Sequence, residues 1–272
     1  MNTLAFLLLF QFASVLDQTL EFTQSSLLPN SQLTQKSDKA VAANIIFKST
    51  DGGQTWQDIS AGLPANLQEE GIERNGFVEK DSELYISTEN GIYHSQSNAT
   101  APYWQKASLI STVSEMLGGT NRLFDGGGAM KSVEANGVLL ATSQKGIIRS
   151  TDAGETWDLV ISEGGVGIAV ERIKGGFAAI TYNTESETRR VRTSYDGGKT
   201  WQPIDAGLPA SLSIASIVQV GEDLFCGHPT GIFRSSDQGK TWQLLLPAIG
   251  DKVFNLSVSG NVIYAILRSG GC

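Results

Sequence analysis

The stretch STDGGQTW, Ser49 to Trp56, decides the fold because it returns three times: STDAGETW at Ser150 to Trp157, SYDGGKTW at Ser194 to Trp201, and SSDQGKTW at Ser235 to Trp242. The chain's fifth tryptophan, Trp104, closes a degraded copy, HSQSNATAPYW from His94, in which Asn98 takes the place of the aspartate. The tryptophans therefore recur at intervals of roughly 40 to 50 residues, a period that signals a solenoid, a propeller or an array.

Working outward from each box gives the repeat unit. Immediately upstream stand GIYHS (91–95), GIIRS (146–150) and GIFRS (231–235), with the variants IIFKS (45–49) and RVRTS (190–194). Before these come the apolar runs LYIS (84–87), LLAT (139–142), FAAIT (177–181), LFCG (224–227) and IYAIL (263–267). Earlier still lie FVE (77–79), MKSVE (130–134), IAVERI (168–173) and IASIVQV (214–220), and a further strand starts at each tryptophan. Short apolar or alternating runs bounded by Gly, Asn, Asp and Ser read as strands. Four strands in meander order make a propeller blade, so the expected class is all-β, a β-propeller of four-stranded antiparallel blades.

The two ends of the chain complement each other. The last repeat, VFNLSV (253–258) and IYAIL (263–267), stops before a third strand, whereas the first repeat begins with one at Ile45. A blade built from both ends would pair edges otherwise left open. This predicts five blades, the fifth shared. The alternative is a piece of a larger ring, with RSGG at 268–271 as the opening of another box.

Within the box, Asp51, Asp152, Asp196 and Asp237 are placed to accept hydrogen bonds from their own loop, glycine supplies a positive φ, and Thr and Trp start the next strand. Four aspartates in four separate repeats cannot converge on one substrate atom, so they read as turn-formers. Trp56, Trp157, Trp201 and Trp242 are expected to pack against the outer strands.

The phrase resembles the Asp-box, or BNR, repeat, matched at Asp51, Asp152, Asp196 and Asp237, and the resemblance runs over residues 44–272. Families with this repeat include sialidases, xyloglucan-cleaving endoglucanases, the sortilin ectodomain and photosystem II assembly-factor propellers. The resemblance implies the fold; because those activities differ, it implies no single chemistry. A sialidase would need three arginines around the substrate carboxylate, a Tyr–Glu nucleophile and an acid aspartate. Here Arg149 and Arg234 adjoin boxes, Arg189, Arg190 and Arg192 share one run, and the Arg-Ile-Pro phrase that opens sialidase domains is missing. That activity is disfavoured.

With 20 Lys and Arg against 28 Asp and Glu, the net charge is −8, which argues against nucleic acid and anionic membranes as partners. Leu4 to Phe12 is an apolar stretch too short to span a bilayer and of the length of a signal-peptide core. The expected organisation is a signal peptide at 1–16, a Gln/Ser/Thr-rich linker or arm at 17–43, and the propeller at 44–272. The address is then secreted or periplasmic, with no integral membrane segment in the mature chain. Two cysteines, Cys226 and Cys272, are too few for a disulfide framework. His94 and His228 are the only histidines and fall in different repeats, so neither a metal nor a cofactor is expected.

Two connections break the repeat by their length, 60–73 and 107–128. They carry Glu69, Glu70, Glu73 and Asp125 as weak catalytic candidates, and Arg122 as a weak ligand-binding one. The first functional reading is a binding and scaffold module for a protein or glycan ligand. The alternative is a carbohydrate-active hydrolase that uses two of these carboxylates on the same face.

Overall fold

The computed structural model describes residues 44–70, 72, 76–80, 83–88, 90–96, 104–107 and 131–268, with the side chains of 69 and 70 excepted. All of them belong to one compact unit, Ala40–Cys272. Five four-stranded antiparallel sheets follow one another along the chain. The second blade is β3 (Phe77–Lys80), β4 (Glu83–Thr88), β5 (Gly91–Gln96) and β6 (Gln105–Lys106). The third is β7 (Ser132–Ala135), β8 (Val138–Ser143), β9 (Gly146–Ser150) and β10 (Asp158–Ile161). The fourth is β11 (Gly164–Ile173), β12 (Gly176–Asn183), β13 (Thr188–Ser194) and β14 (Gln202–Pro203). The fifth is β15 (Ser216–Val220), β16 (Asp223–His228), β17 (Gly231–Ser235) and β18 (Gln243–Pro247).

The remaining blade joins the two ends of the chain in the order β19 (Val253–Ser259), β20 (Val262–Arg268), β1 (Ile46–Ser49) and β2 (Gln57–Asp58). The β1–β20 register runs from Ile46↔Ile266 to Ser49↔Ile263. This is the five-bladed propeller with a shared blade that the repeat predicts. A helical turn, α1 (Leu67–Glu70), follows the first box, where the repeat pattern alone predicts only a loop.

Burial explains why the second strand of three of the units reads as a continuous apolar run. Five successive residues are buried in each of β12, β16 and β20, on both faces of the sheet, because a middle strand of a blade is covered by a neighbouring blade on each side. The fourth strands lie at the outer edge, and β2, β6 and β14 are only two residues long and exposed. Short edges of this kind give other chains little to pair with.

The glycine of the Gly-Ile phrase is required by a close approach. Gly146 and Gly231 have φ of 128° and 140°, and a Cβ at either would sit 1.9 and 2.1 Å from the carbonyl oxygens of Ile161 and Leu246 on the fourth strand. Neither the backbone angle nor the space admits a side chain.

Blades are joined by packing and by a few backbone bonds. Phe47 and Phe254 meet edge to face with ring centroids 5.6 Å apart in the shared blade. That blade and the fifth contribute to one core that also contains Leu84, Ile86 and Trp104 of the second. At the seam between the shared and second blades, Trp104 donates from its backbone N to Ala61 O (2.9 Å) and from Nε1 to Ile59 O (2.6 Å). Ile72 N donates to Leu267 O (3.1 Å) at the same seam. Trp104, the tryptophan of the degraded box, is 1 % exposed, whereas Trp56, Trp157, Trp201 and Trp242 are only half-buried.

Candidate functional site

The four complete boxes share one hydrogen-bond pattern. In each, the aspartate Oδ1 accepts from the serine two residues before it and from the backbone N of the threonine four residues after it. For Asp196 these bonds come from Ser194 Oγ (2.8 Å) and Thr200 N (2.9 Å), and Thr200 Oγ1 donates to Oδ2 at 2.6 Å. Asp51, Asp152 and Asp237 are bound alike. The serine Oγ in turn accepts from the backbone N of the glycine four residues after it, as in Gly239 N→Ser235 Oγ at 2.7 Å. Trp56, Trp157 and Trp201 close the loop by donating Nε1 to that glycine's carbonyl at 3.0, 3.0 and 3.1 Å. Trp242 departs from the rule and donates instead to Ile204 O of the preceding blade (2.7 Å).

In three of the boxes this glycine is also a docking point. A Cβ on Gly198 would lie 3.0 Å from Leu140, on Gly239 2.5 Å from Ile204, and on Gly53 2.7 Å from Leu245, each on the preceding blade. These three boxes are therefore spacers that seat one blade on the next, whereas a Cβ on Gly154 would meet Trp157 and Leu139 of its own blade.

Because so many donors converge on them, these carboxylates are stronger acids than free aspartate. The Thr55 and Thr241 hydroxyls are the largest causes at Asp51 and Asp237, which are both lowered to about 2. Asp152, through the Ser150 hydroxyl first, and Asp196, through that of Thr200, are lowered further. A carboxyl whose folded pKa is depressed contributes stability above its free value of 3.8 and loses it as pH falls towards the folded value. The melting temperature is expected to be insensitive to these groups above about pH 5 and to fall between about pH 4 and 2. Asp237→Asn should make that fall shallower, and an unchanged slope in thermal melts would count against this account.

The fourth blade carries three arginines in one strand, and each is committed. Arg189 Nη1 donates to Ile214 O (2.8 Å). Arg190 grips Asp205 with Nε at 2.6 Å and Nη2 at 3.2 Å, which raises its already high pKa. Arg192 pairs with Glu163, whose carboxylate also accepts from Thr181 Oγ1 (2.7 Å) and Asn183 Nδ2 (3.3 Å). Arg234 pairs with Asp223 at 2.6 Å, and Arg149 Nε donates to Gly197 O at 2.7 Å. These side chains serve the blades and their seams.

His228 and Cys226 are equally structural. The His228 ring is buried between Thr230 Oγ1 on Nδ1 and Pro209 O on Nε2, both at 2.8 Å, and burial lowers its pKa. Nε2–H donates to the carbonyl, so the neutral tautomer is held in place. Burial pushes the Cys226 thiol far up, leaving it inert at neutral pH. Among the described residues no group of three or more His, Cys, Asp or Glu is placed to hold a metal ion. No helix among them is long and apolar enough to cross a membrane.

Two clefts open on the described surface, at opposite ends of the blades. One, of about 340 Å³, lies by the β12–β13 turn and the connection after β14, and is lined by Thr188, Arg190, Asp205 and Pro209. The other, of about 620 Å³, lies at the box end across three blades, between the first turns of the third, fourth and fifth and beside the box at Tyr195 and Gly197. Glu73, Arg122 and Asp125 lie outside the described residues. Of Glu69 and Glu70 only the backbone is described, in α1. The larger cleft was not legible in the repeat, because it is assembled from turns of three units that lie far apart in the chain.

A family model for the BNR/Asp-box repeat matches residues 47–58, 192–203 and 233–244. With the geometry above, the chain is an Asp-box repeat β-propeller. No curated protein matches it. Among solved structures it is similar to the GH74 xyloglucanase from Xanthomonas campestris, at 14% identity over 81% of this chain and 39% of that one, TM-score 0.37. It is also similar to the extracellular domain of a hybrid two-component system from B. thetaiotaomicron (13%, 87% and 33%, TM-score 0.40). A third likeness is to the Trypanosoma rangeli sialidase in complex with 2,3-difluorosialic acid (15%, 82% and 49%, TM-score 0.31). The chain spans 25% to 58% of the length of the first four solved structures it matches.

Proposed function

We propose that this propeller is a secreted or periplasmic binding and scaffold module that holds a protein or glycan partner. The observation that supports this reading is the state of the carboxylates at the clefts. Hydrolysis of a glycoside needs two carboxyl groups facing each other across an open cleft at about 5–10 Å, one of them kept protonated. Among the described residues the larger cleft has no carboxylate in its lining, and the smaller has Asp205, which is closed by two bonds from Arg190. The apolar stretch Leu4 to Phe12 supports the export of the chain.

Partner contacts are assigned to the connections 60–73 and 107–128, which break the repeat by their length, although the first also anchors the seam through Ala61 and Ile72. Glu69, Glu70, Glu73, Arg122 and Asp125 would form their polar rim. The test is a glycan array run beside a panel of fluorogenic glycosides. Binding without turnover is expected, and it should weaken when the five residues are replaced by uncharged ones. Turnover that disappears in Glu73→Gln or Asp125→Asn would instead establish the hydrolase.

A further inference from the structure

We propose that the larger cleft, at the box end of the third, fourth and fifth blades, is a second binding site, and that it takes an acidic saccharide through Arg172 and Tyr195. The proposal rests on the reading of the protein as a binding module, but it concerns the opposite end of the blades from the connections named above. In an antiparallel blade the turn between the first and second strands and the box between the third and fourth lie at one end. The turn between the second and third strands and the connection to the next blade lie at the other.

The charge of the cleft is unlike that of the chain. A protein of net charge −8 here presents a lining with two cations and no carboxylate. Lys174 is met at the rim by Glu222, and its backbone N donates to Gln219 Oε1 at 2.6 Å, which ties the fourth blade's turn to the fifth's. Arg172 is exposed and has no hydrogen-bond or ion-pair partner among the described residues, in contrast to Arg189, Arg190, Arg192 and Arg234, which all have one. A second guanidinium, that of Arg149, is fixed behind the lining by its bond to Gly197 O. An unpaired guanidinium in such a setting selects a carboxylate, which it can bind through two parallel hydrogen bonds.

The remaining groups favour a sugar over a peptide. Tyr195 is 53% exposed, the one exposed aromatic side chain in the lining of the cleft. Its ring is propped over Gly176, where a Cβ would come within 3.1 Å of Tyr195 Cδ1, so the glycine gives the ring its seat. An exposed aromatic face with a phenol at its end is suited to a ligand that is apolar on one face and hydroxylated at its edges. Asn136 stands across the cleft in the third blade's turn and supplies amide donors and an acceptor for hydroxyls. Phe177 and Ile173 in the lining are buried, so no deep apolar pocket is open to anchor a peptide side chain.

The experiment is calorimetric titration of the full chain with 3′-sialyllactose, with trigalacturonate, with their neutral counterparts lactose and maltotriose, and with a hexaglutamate peptide. One or both acidic sugars should bind, less tightly as salt rises, while the neutral sugars and the peptide do not. The two acidic probes decide between a sialate and a uronate. Arg172→Gln and Tyr195→Ala should each weaken that binding at least tenfold with unchanged melting temperature, whereas Lys240→Gln, in the fifth blade's box and outside the cleft, should leave it unchanged. Failure of both acidic sugars to bind at millimolar concentration overturns the proposal, as does equal binding of hexaglutamate, which makes the cleft an acidic-peptide site. Binding that survives both cleft variants but is lost on replacing the five residues of the long connections also overturns it, and leaves the binding-module reading standing.

Discussion

Deleting residues 44–59 is expected to abolish cooperative folding. The deletion takes β1 and β2 from the shared blade and leaves β20 with an open edge. It also removes Ile45, Ile46, Phe47 and Ile59, which are at most 7% exposed and lie in the largest core. Loss of each such side chain costs about 2–5 kcal/mol, so four together match or exceed the roughly 5–15 kcal/mol that holds a domain folded. Calorimetry should show no sharp transition for this variant, whereas deletion of 17–40 should leave the transition of the full chain in place. A cooperative melt within a few degrees of the full chain's, with 44–59 gone, would mean that the ring does not depend on its shared blade.

The second large effect is expected at Trp104. Its ring is among the largest fully buried side chains, and both its N–H groups donate to the segment that leaves the shared blade. Trp104→Ala should destabilise the propeller by about 3–5 kcal/mol, a fall in melting temperature on the order of 10 °C for a unit of this size. Trp157→Ala removes a half-buried ring whose indole donates to Gly154 O of its own loop, so its cost should be clearly smaller. Equal losses in the two variants would show that the complete boxes contribute as much to the core as the degraded one.

The tryptophan of the degraded copy thus outranks that of a complete one, and the reason is physical. In a complete box the aspartate, serine, threonine and glycine satisfy one another, and in three of the four the indole donates to the same loop, Trp242 reaching instead to the preceding blade. Such local closure repeats in the sequence and can be read there. In the second blade the local partners are gone, and Trp104 finds its bonds on another blade, 45 residues away in the chain. A bond made across a seam by a single repeat leaves no period.

The same distinction separates the rest of what could be read from what could not. The second strands were legible because burial on both faces demands an unbroken apolar run. The shared blade was legible because each end of the chain lacked what the other had. The fixing of Arg190 by Asp205, and of Arg192 by Glu163, was not legible, because those partners lie in connections whose path depends on how the blades meet. Nor was the cleft around Arg172 and Tyr195, because its lining comes from three repeats.

Closure of the ring by β1 against β20 carries the whole arrangement, and amide hydrogen exchange tests it most directly. Leu267 N donates to Ile45 O at 2.7 Å and Ile59 N to Ile46 O at 2.9 Å, and Phe47 pairs with Ala265 between them. If the shared blade is integral, these amides exchange only through global unfolding, as slowly as those of β12 and β16. Exchange of the amides of β1 and of Ile59 orders of magnitude faster than those of β12 and β16 would contradict it.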